Sequence, residues 1–242
     1  MRSASAITLG AVALASLGLA GCGASTQVKN DRAEVQAKRE LGARKAQRVS
    51  GRNPDVRVRK VAVVRDRRSS AVVVDLRSVA DRPLTDVPIA VGVRTAGGER
   101  RTLNAAPGLA WFQTHVPAIA PGATTTWVFR TRRNVPSGRP FARVGRLTAP
   151  VISSAQRLPS VEASTERAGG RRARVRVQNT SDVPQAGLQV YATASAAGRY
   201  VAAGRAAVPL LEPGSTTTVT LRLTGRPQGR PLRLHAAPTI FD

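Results

Sequence analysis

The sequence predicts an all-β protein: two tandem antiparallel β-sandwiches, preceded by a partly helical tether and a cleaved signal peptide. Three observations lead there. Residues 72–93 match residues 173–194 without a gap, at a constant spacing of 101 positions. In both copies apolar residues alternate with more polar ones in period two, the pattern that lines one face of a strand. Clusters of turn-forming residues separate the alternating runs, and no amphipathic helical pattern interrupts either copy.

Taken in chain order, the first element is an export signal over residues 1–21. Charged Arg2 is followed by an apolar stretch from Ile7 to Leu19 and by the small residues Ala20 and Gly21. That stretch is shorter than the roughly 20 residues a membrane-crossing helix needs, so processing is expected rather than retention. Leu19-Ala20-Gly21-Cys22 resembles the lipobox of bacterial lipoprotein precursors. The resemblance implies cleavage before Cys22 and a diacylglyceryl group on its sulfur. Two acyl chains hold a protein on a bilayer stably where one holds it only marginally. Cys22 is the single cysteine of the chain, so cohesion beyond it must come from burial rather than disulfides.

Residues 22–54 read as a polar tether. Asp31 and Glu34 suggest a capping box, Val28, Val35 and Val49 fall at multiples of seven, and Gly42 breaks the seam a coiled coil would need. Gly51, Asn53 and Pro54 mark its end.

The two sandwiches are expected at residues 55–150 and 151–242, with about seven strands each. Val74, Leu76, Val87, Ile89 and Val91 correspond to Val175, Val177, Leu188, Val190 and Ala192. Between them Ser78-Val79-Ala80-Asp81-Arg82-Pro83 matches Asn179-Thr180-Ser181-Asp182-Val183-Pro184 as a turn. One carboxylate per loop, Asp81 or Asp182, is far short of the six to eight oxygens that calcium takes. The match resumes at a spacing of 92, where Val116 to Gly122 parallels Val208 to Gly214, and a further strand follows with Thr125, Trp127 and Phe129 against Thr217, Val219 and Leu221. Gly138-Arg139-Pro140 and Gly229-Arg230-Pro231 are then expected to precede the last strand of each copy. Gly97-Gly98 and Gly169-Gly170 read as hairpin turns.

The strand ending in Val-x-Asn-x-Ser-Asp-x-Pro at residues 177–184 and the Leu-Glu-Pro-Gly-Ser run before a Thr-rich strand at 211–221 resemble bacterial Ig-like domains of the CARDB and FxLYD kind. The first copy departs from that pattern with Ser78 in place of Asn179. The resemblance implies non-catalytic modules of surface and exported proteins, used in adhesion or in presenting another domain.

The chain carries 38 Lys and Arg against 14 Asp and Glu, a formal net charge of +24. Outside a bacterial membrane such a field meets anionic lipid headgroups and wall polymers. Nucleic acid is not an expected partner, since export argues against it and only 3% of residues are aromatic.

Candidate chemistry is sparse. His115 and His235 stand in different copies with no neighbouring ligand motif, and the four lysines, Lys29, Lys38, Lys45 and Lys60, lie in the tether or the first strand. No Gly-x-Ser-x-Gly or Ser-x-x-Lys pattern occurs. No catalytic residue, metal site or cofactor is therefore expected.

The first copy is nine residues longer between Val93 and Val116, and the excess contains Trp111 and Phe112. Neighbouring residues of a strand point to opposite faces, so one ring is expected to be exposed or to cover an edge. These two residues are the candidate binding feature. The reading that follows is a non-enzymatic protein-binding or scaffold lipoprotein, attached through Cys22 to the outer face of the bacterial cell membrane. The alternative is electrostatic binding of anionic lipid or wall polymer by the arginines.

Overall fold

Among the residues that the computed structural model describes, 49–147 and 157–239, regular structure consists of antiparallel strands and one short 3-10 turn. The expected signal peptide, the lipobox residues Leu19, Ala20, Gly21 and Cys22, and nearly all of the tether lie outside the described residues. No described helix is long and apolar enough to cross a membrane.

In the first half the strands are β1 (Val56–Arg65), β2 (Ser70–Ser78), β3 (Leu84–Arg94), β4 (Arg100–Thr102), β5 (His115–Ile119), β6 (Thr124–Thr131) and β7 (Arg139–Val144). One sheet has the order β1-β2-β6. In the other, β3 is central, with β4 and β5 along one edge and β7 pairing with it as well. Trp127, Phe129, Val72 and Val74 belong to the apolar core of this half.

The second half contains β8 (Val161–Gly169), β9 (Arg172–Asn179), β10 (Gln185–Ala196), β11 (Arg199–Leu211), β12 (Thr216–Gly225) and β13 (Arg233–Ala237). They form a single sheet in the order β13-β10-β11-β12-β9-β8. The sheet folds over because β12 changes partners: Thr216–Arg222 pairs with β9, and Arg222–Gly225 pairs with β11. Gly204 permits the crossing, since a Cβ there would meet the Arg222 carbonyl at 2.6 Å. Ala173, Val175 and Val177 on one layer then pack with Leu188, Val190 and Ala192 of the other.

The registers of the two halves coincide under the spacings read from the sequence. Val72 pairs with Phe129, and Ala173 with Leu221. Val87 pairs with Val116, and Leu188 with Val208. Ile89 pairs with Val144, and Val190 with Ala236. Two expectations need correction. Among the described residues the second half has six strands where about seven are expected, because β11 runs unbroken where the longer connection of the first half splits it into β4 and β5. Arg139 and Pro140 lie inside β7, whereas Arg230 and Pro231 precede β13, so the last strand of the second half is shifted by a residue relative to its turn.

The Ser78/Asn179 difference has a local consequence. Both residues are fully buried. The Asn179 amide donates to the carbonyls of Val183 and Leu211 while its oxygen accepts from Ser181, so it ties the turn to the neighbouring strand. The shorter Ser78 hydroxyl only accepts from the Ala80 N–H.

Candidate functional site at the seam of the two halves

A strand buried on one face alternates, but β2 carries the unbroken apolar run Ala71-Val72-Val73-Val74, all at 0% exposure. Both of its faces are therefore covered. Val72 and Val74 face the core beside Trp127, so Ala71, Val73 and Asp75 face the other way. What they meet is the second half: Tyr191, Ala203 and Ala237 belong to the same buried cluster as Val73 and Val128. On β10 the division repeats, with Leu188, Val190 and Ala192 in the core of the second half and Gln189, Tyr191 and Thr193 buried on the opposite face.

Polar side chains fix this seam. The Tyr200 hydroxyl donates to the Asp75 carboxylate, 2.8 and 2.7 Å from its two oxygens, and Thr126 donates to the same group at 2.8 Å. Burial and the Asp75 charge push the Tyr200 hydroxyl far above its ordinary range, so it stays a donor. The Lys60 ammonium lies 4.8 Å from the centre of the Tyr200 ring and donates to the Gly198 carbonyl. Ser69 and Thr224, both buried, share a hydrogen bond of 2.9 Å. The Gly225 N–H donates to Asp66, whose carboxylate also stands 3.7 Å from Arg171. None of these contacts is visible as a motif, because each joins positions far apart on faces that alternation assigns to solvent. The consecutive apolar runs were the available signal.

His235, on β13, enters the seam through a hydrogen bond to Thr125 and a stack against Tyr191 at 6.3 Å. His115 is buried in the first half, where its Nδ1 meets the Thr114 hydroxyl at 2.9 Å. The two histidines do not come together with a carboxylate or a cysteine; among the described residues no three such side chains are grouped for a metal. Desolvation lowers both to about 4. A folded-state value below that of the unfolded chain means the unfolded state takes up protons first. The stability these rings contribute is complete above about pH 6.5 and is lost as the pH falls towards 4. Denaturant titrations at pH 7.5 and 4.5 should differ by roughly 2 kcal/mol for each histidine, and His235→Gln should remove about half of the difference.

The long connection of the first half fills the gap between β4 and β5. Asn104, which sequence reasoning passed over, completes the edge of β3. Its side chain accepts from the Val91 N–H at 2.8 Å and donates to the carbonyls of Ile89 and Gln113. Trp111–Gln113 forms the 3-10 turn, not a strand, so the strand alternation behind the expectation that one ring is exposed or covers an edge does not hold there. Trp111 and Phe112 are both half-buried. The indole stacks on His115 with centroids 3.3 Å apart, and its N–H donates to Asp86 at 3.0 Å.

Asp86 adopts a left-handed backbone, φ 47°, at the position that Gly187 occupies in the second half with φ 64°. Asp tolerates that conformation better than most side chains. The first half thus places a carboxylate where the second has glycine, and uses it to hold its extra loop. The Phe112 carbonyl accepts from Arg205 of β11 at 3.1 Å, so the loop also reaches the second half.

Fold and site together define an all-β chain whose halves share a built seam flanked by arginines. No protein-family model matches it, and no curated protein matches it.

Proposed function

We propose that this chain is an envelope lipoprotein, attached through lipid on Cys22 to the outer face of the bacterial cell membrane, that acts as a non-enzymatic protein-binding or scaffold module built from two tandem Ig-like sandwiches. The observation that carries the reading is the use made of the polar side chains. Asp75 is spent on Tyr200 and Thr126, His235 on Thr125, and Asp86 on Trp111. They stiffen the pair of sandwiches as a presenting body, which is what a scaffold on a lipid tether requires. The run Leu19, Ala20, Gly21 and Cys22, which resembles a lipobox, supports that location.

Metabolic labelling with a palmitate analogue tests the anchor. The wild-type protein is expected to carry label and to sediment with membranes, and Cys22→Ser to lose both properties. A Cys22→Ser protein that remains labelled in the membrane fraction contradicts the reading. Electrostatic binding of anionic lipid or wall polymer is the second reading, favoured by the clustering of arginines where the halves meet.

A further inference from the structure

Four arginines converge on one groove of about 480 Å³ at the mouth of the seam. Arg130, Arg132 and Arg133 come from the end of β6 and the turn after it, and Arg205 comes from β11 of the second half. The extra loop of the first half supplies the facing wall through Leu103 and Leu109. No residue lining the groove is acidic. Among the described residues none of the four arginines has a carboxylate within ion-pair distance.

The cations are held in place rather than free to disperse. Arg65 donates to the carbonyls of Val135 and Pro136, and the Ser70 hydroxyl accepts from the Val135 N–H, which pins the turn that carries Arg132 and Arg133. Arg205 is fixed by its bond to the Phe112 carbonyl. Of the groove's own lining, the Arg130 Nε is buried without a partner among the described residues.

Electrostatics point the same way. Arg130 is held below the ordinary guanidinium range, first by burial and then by Arg132 and Arg222, with Asp66 opposing them only in part. Arg205 is lowered in the same direction by burial and by Arg130, with Tyr191 opposing. Like charges crowded this way are relieved by an anion with several oxygens, and guanidinium forks match phosphate oxygens in pairs. The partly apolar far wall suits an ester carbon skeleton rather than a bare ion.

We propose that this groove is a binding site for a phosphate group, with Arg130, Arg132, Arg133 and Arg205 as its cationic wall and the Leu103–Leu109 loop as the wall against an ester. The site goes beyond the scaffold reading and does not depend on how the chain is anchored.

Calorimetric titration of the purified full chain in nonionic detergent at low ionic strength tests it, with inorganic pyrophosphate and sn-glycerol 3-phosphate as probes. Saturable binding of one probe molecule per chain is expected. Arg130→Gln and the double variant Arg132→Gln/Arg133→Gln should each weaken it about 10-fold or more, as loss of a charged hydrogen-bond donor does. The control is Arg57→Gln/Arg77→Gln, two exposed arginines paired at the far end of the same sheet, which removes equal charge and should change affinity less than 2-fold. Tighter binding of glycerol phosphate assigns the site to an ester, and equal or tighter binding of pyrophosphate assigns it to free phosphate. Absence of saturable binding, or equal weakening by the groove and control doubles, overturns the proposal. The exposed double variant keeps the test interpretable if the half-buried Arg130 variant unfolds.

Discussion

Trp127→Ala should lower the unfolding free energy by about 4 kcal/mol and the melting temperature by roughly 10 °C, measured by denaturant and thermal titration. Trp127 is fully buried, and its ring lies 6.4 Å from that of Phe129, its neighbour on the core face of β6. Its removal empties a volume the surrounding β-strands can close only in part. The indole N–H also donates to the His115 carbonyl at 3.0 Å, so truncation leaves a buried acceptor on β5 without a partner. Trp127→Phe keeps most of the volume and loses only the hydrogen bond, so it should cost about half as much. A loss under about 1 kcal/mol for the alanine variant would show that this residue is not the centre of the core.

Gly225→Ala should cost about 3 kcal/mol or more, although it adds one methyl group. Gly225 has φ +80°, a conformation a side chain rarely adopts. A Cβ there would lie 2.1 Å from the Val201 carbonyl oxygen and 3.0 Å from Val64 of the first half. Neither neighbour can yield cheaply, since one is backbone and the other is packed in the seam. The Gly225 N–H also donates to Asp66, so displacement of this residue loosens a contact between the halves. The expected signature is therefore twofold: lower stability, and new proteolytic cleavage that separates the two halves. Unaltered stability would mean that β12 can shift without loss.

The sequence made some features legible because they are local or repeated. Alternation of Val74 and Leu76, and of Val175 and Val177, marks strands since one face of each is apolar throughout. The spacings of 101 and 92 carry register information because each copy pairs its own strands in the same way, down to Val72 with Phe129 and Ala173 with Leu221.

The seam was not legible by those rules. Asp75 sits in a strand at a position alternation assigns to the outside, and its partner Tyr200 is 125 positions away in a strand of the other copy. Nothing in the repeat predicts it, because the seam joins non-equivalent faces: the β1-β2-β6 sheet of one half and the β10, β11 and β13 strands of the other. The run from Ala71 to Val74 did signal a second covered face, but not which surface covers it.

Trp111 and Phe112 show a different limit. Their place in the extra connection was evident, but the connection forms a 3-10 turn braced by Asn104 and Asp86, where strand alternation does not hold. Comparing Asp86 with Gly187 would have flagged the unusual backbone. The arginine groove was hidden because Arg130, Arg132 and Arg133 read as part of a uniformly basic composition; only the approach of Arg205 and the loop gives them a common space.

The seam joins the two halves through Asp75, Tyr200, Ser69 and Thr224, and the groove lies beside it. Differential scanning calorimetry of the wild-type protein at pH 7.5 tests this most directly. Both halves should unfold in a single transition, with calorimetric and van't Hoff enthalpies equal within error. Two resolved transitions, one for each half, would contradict it.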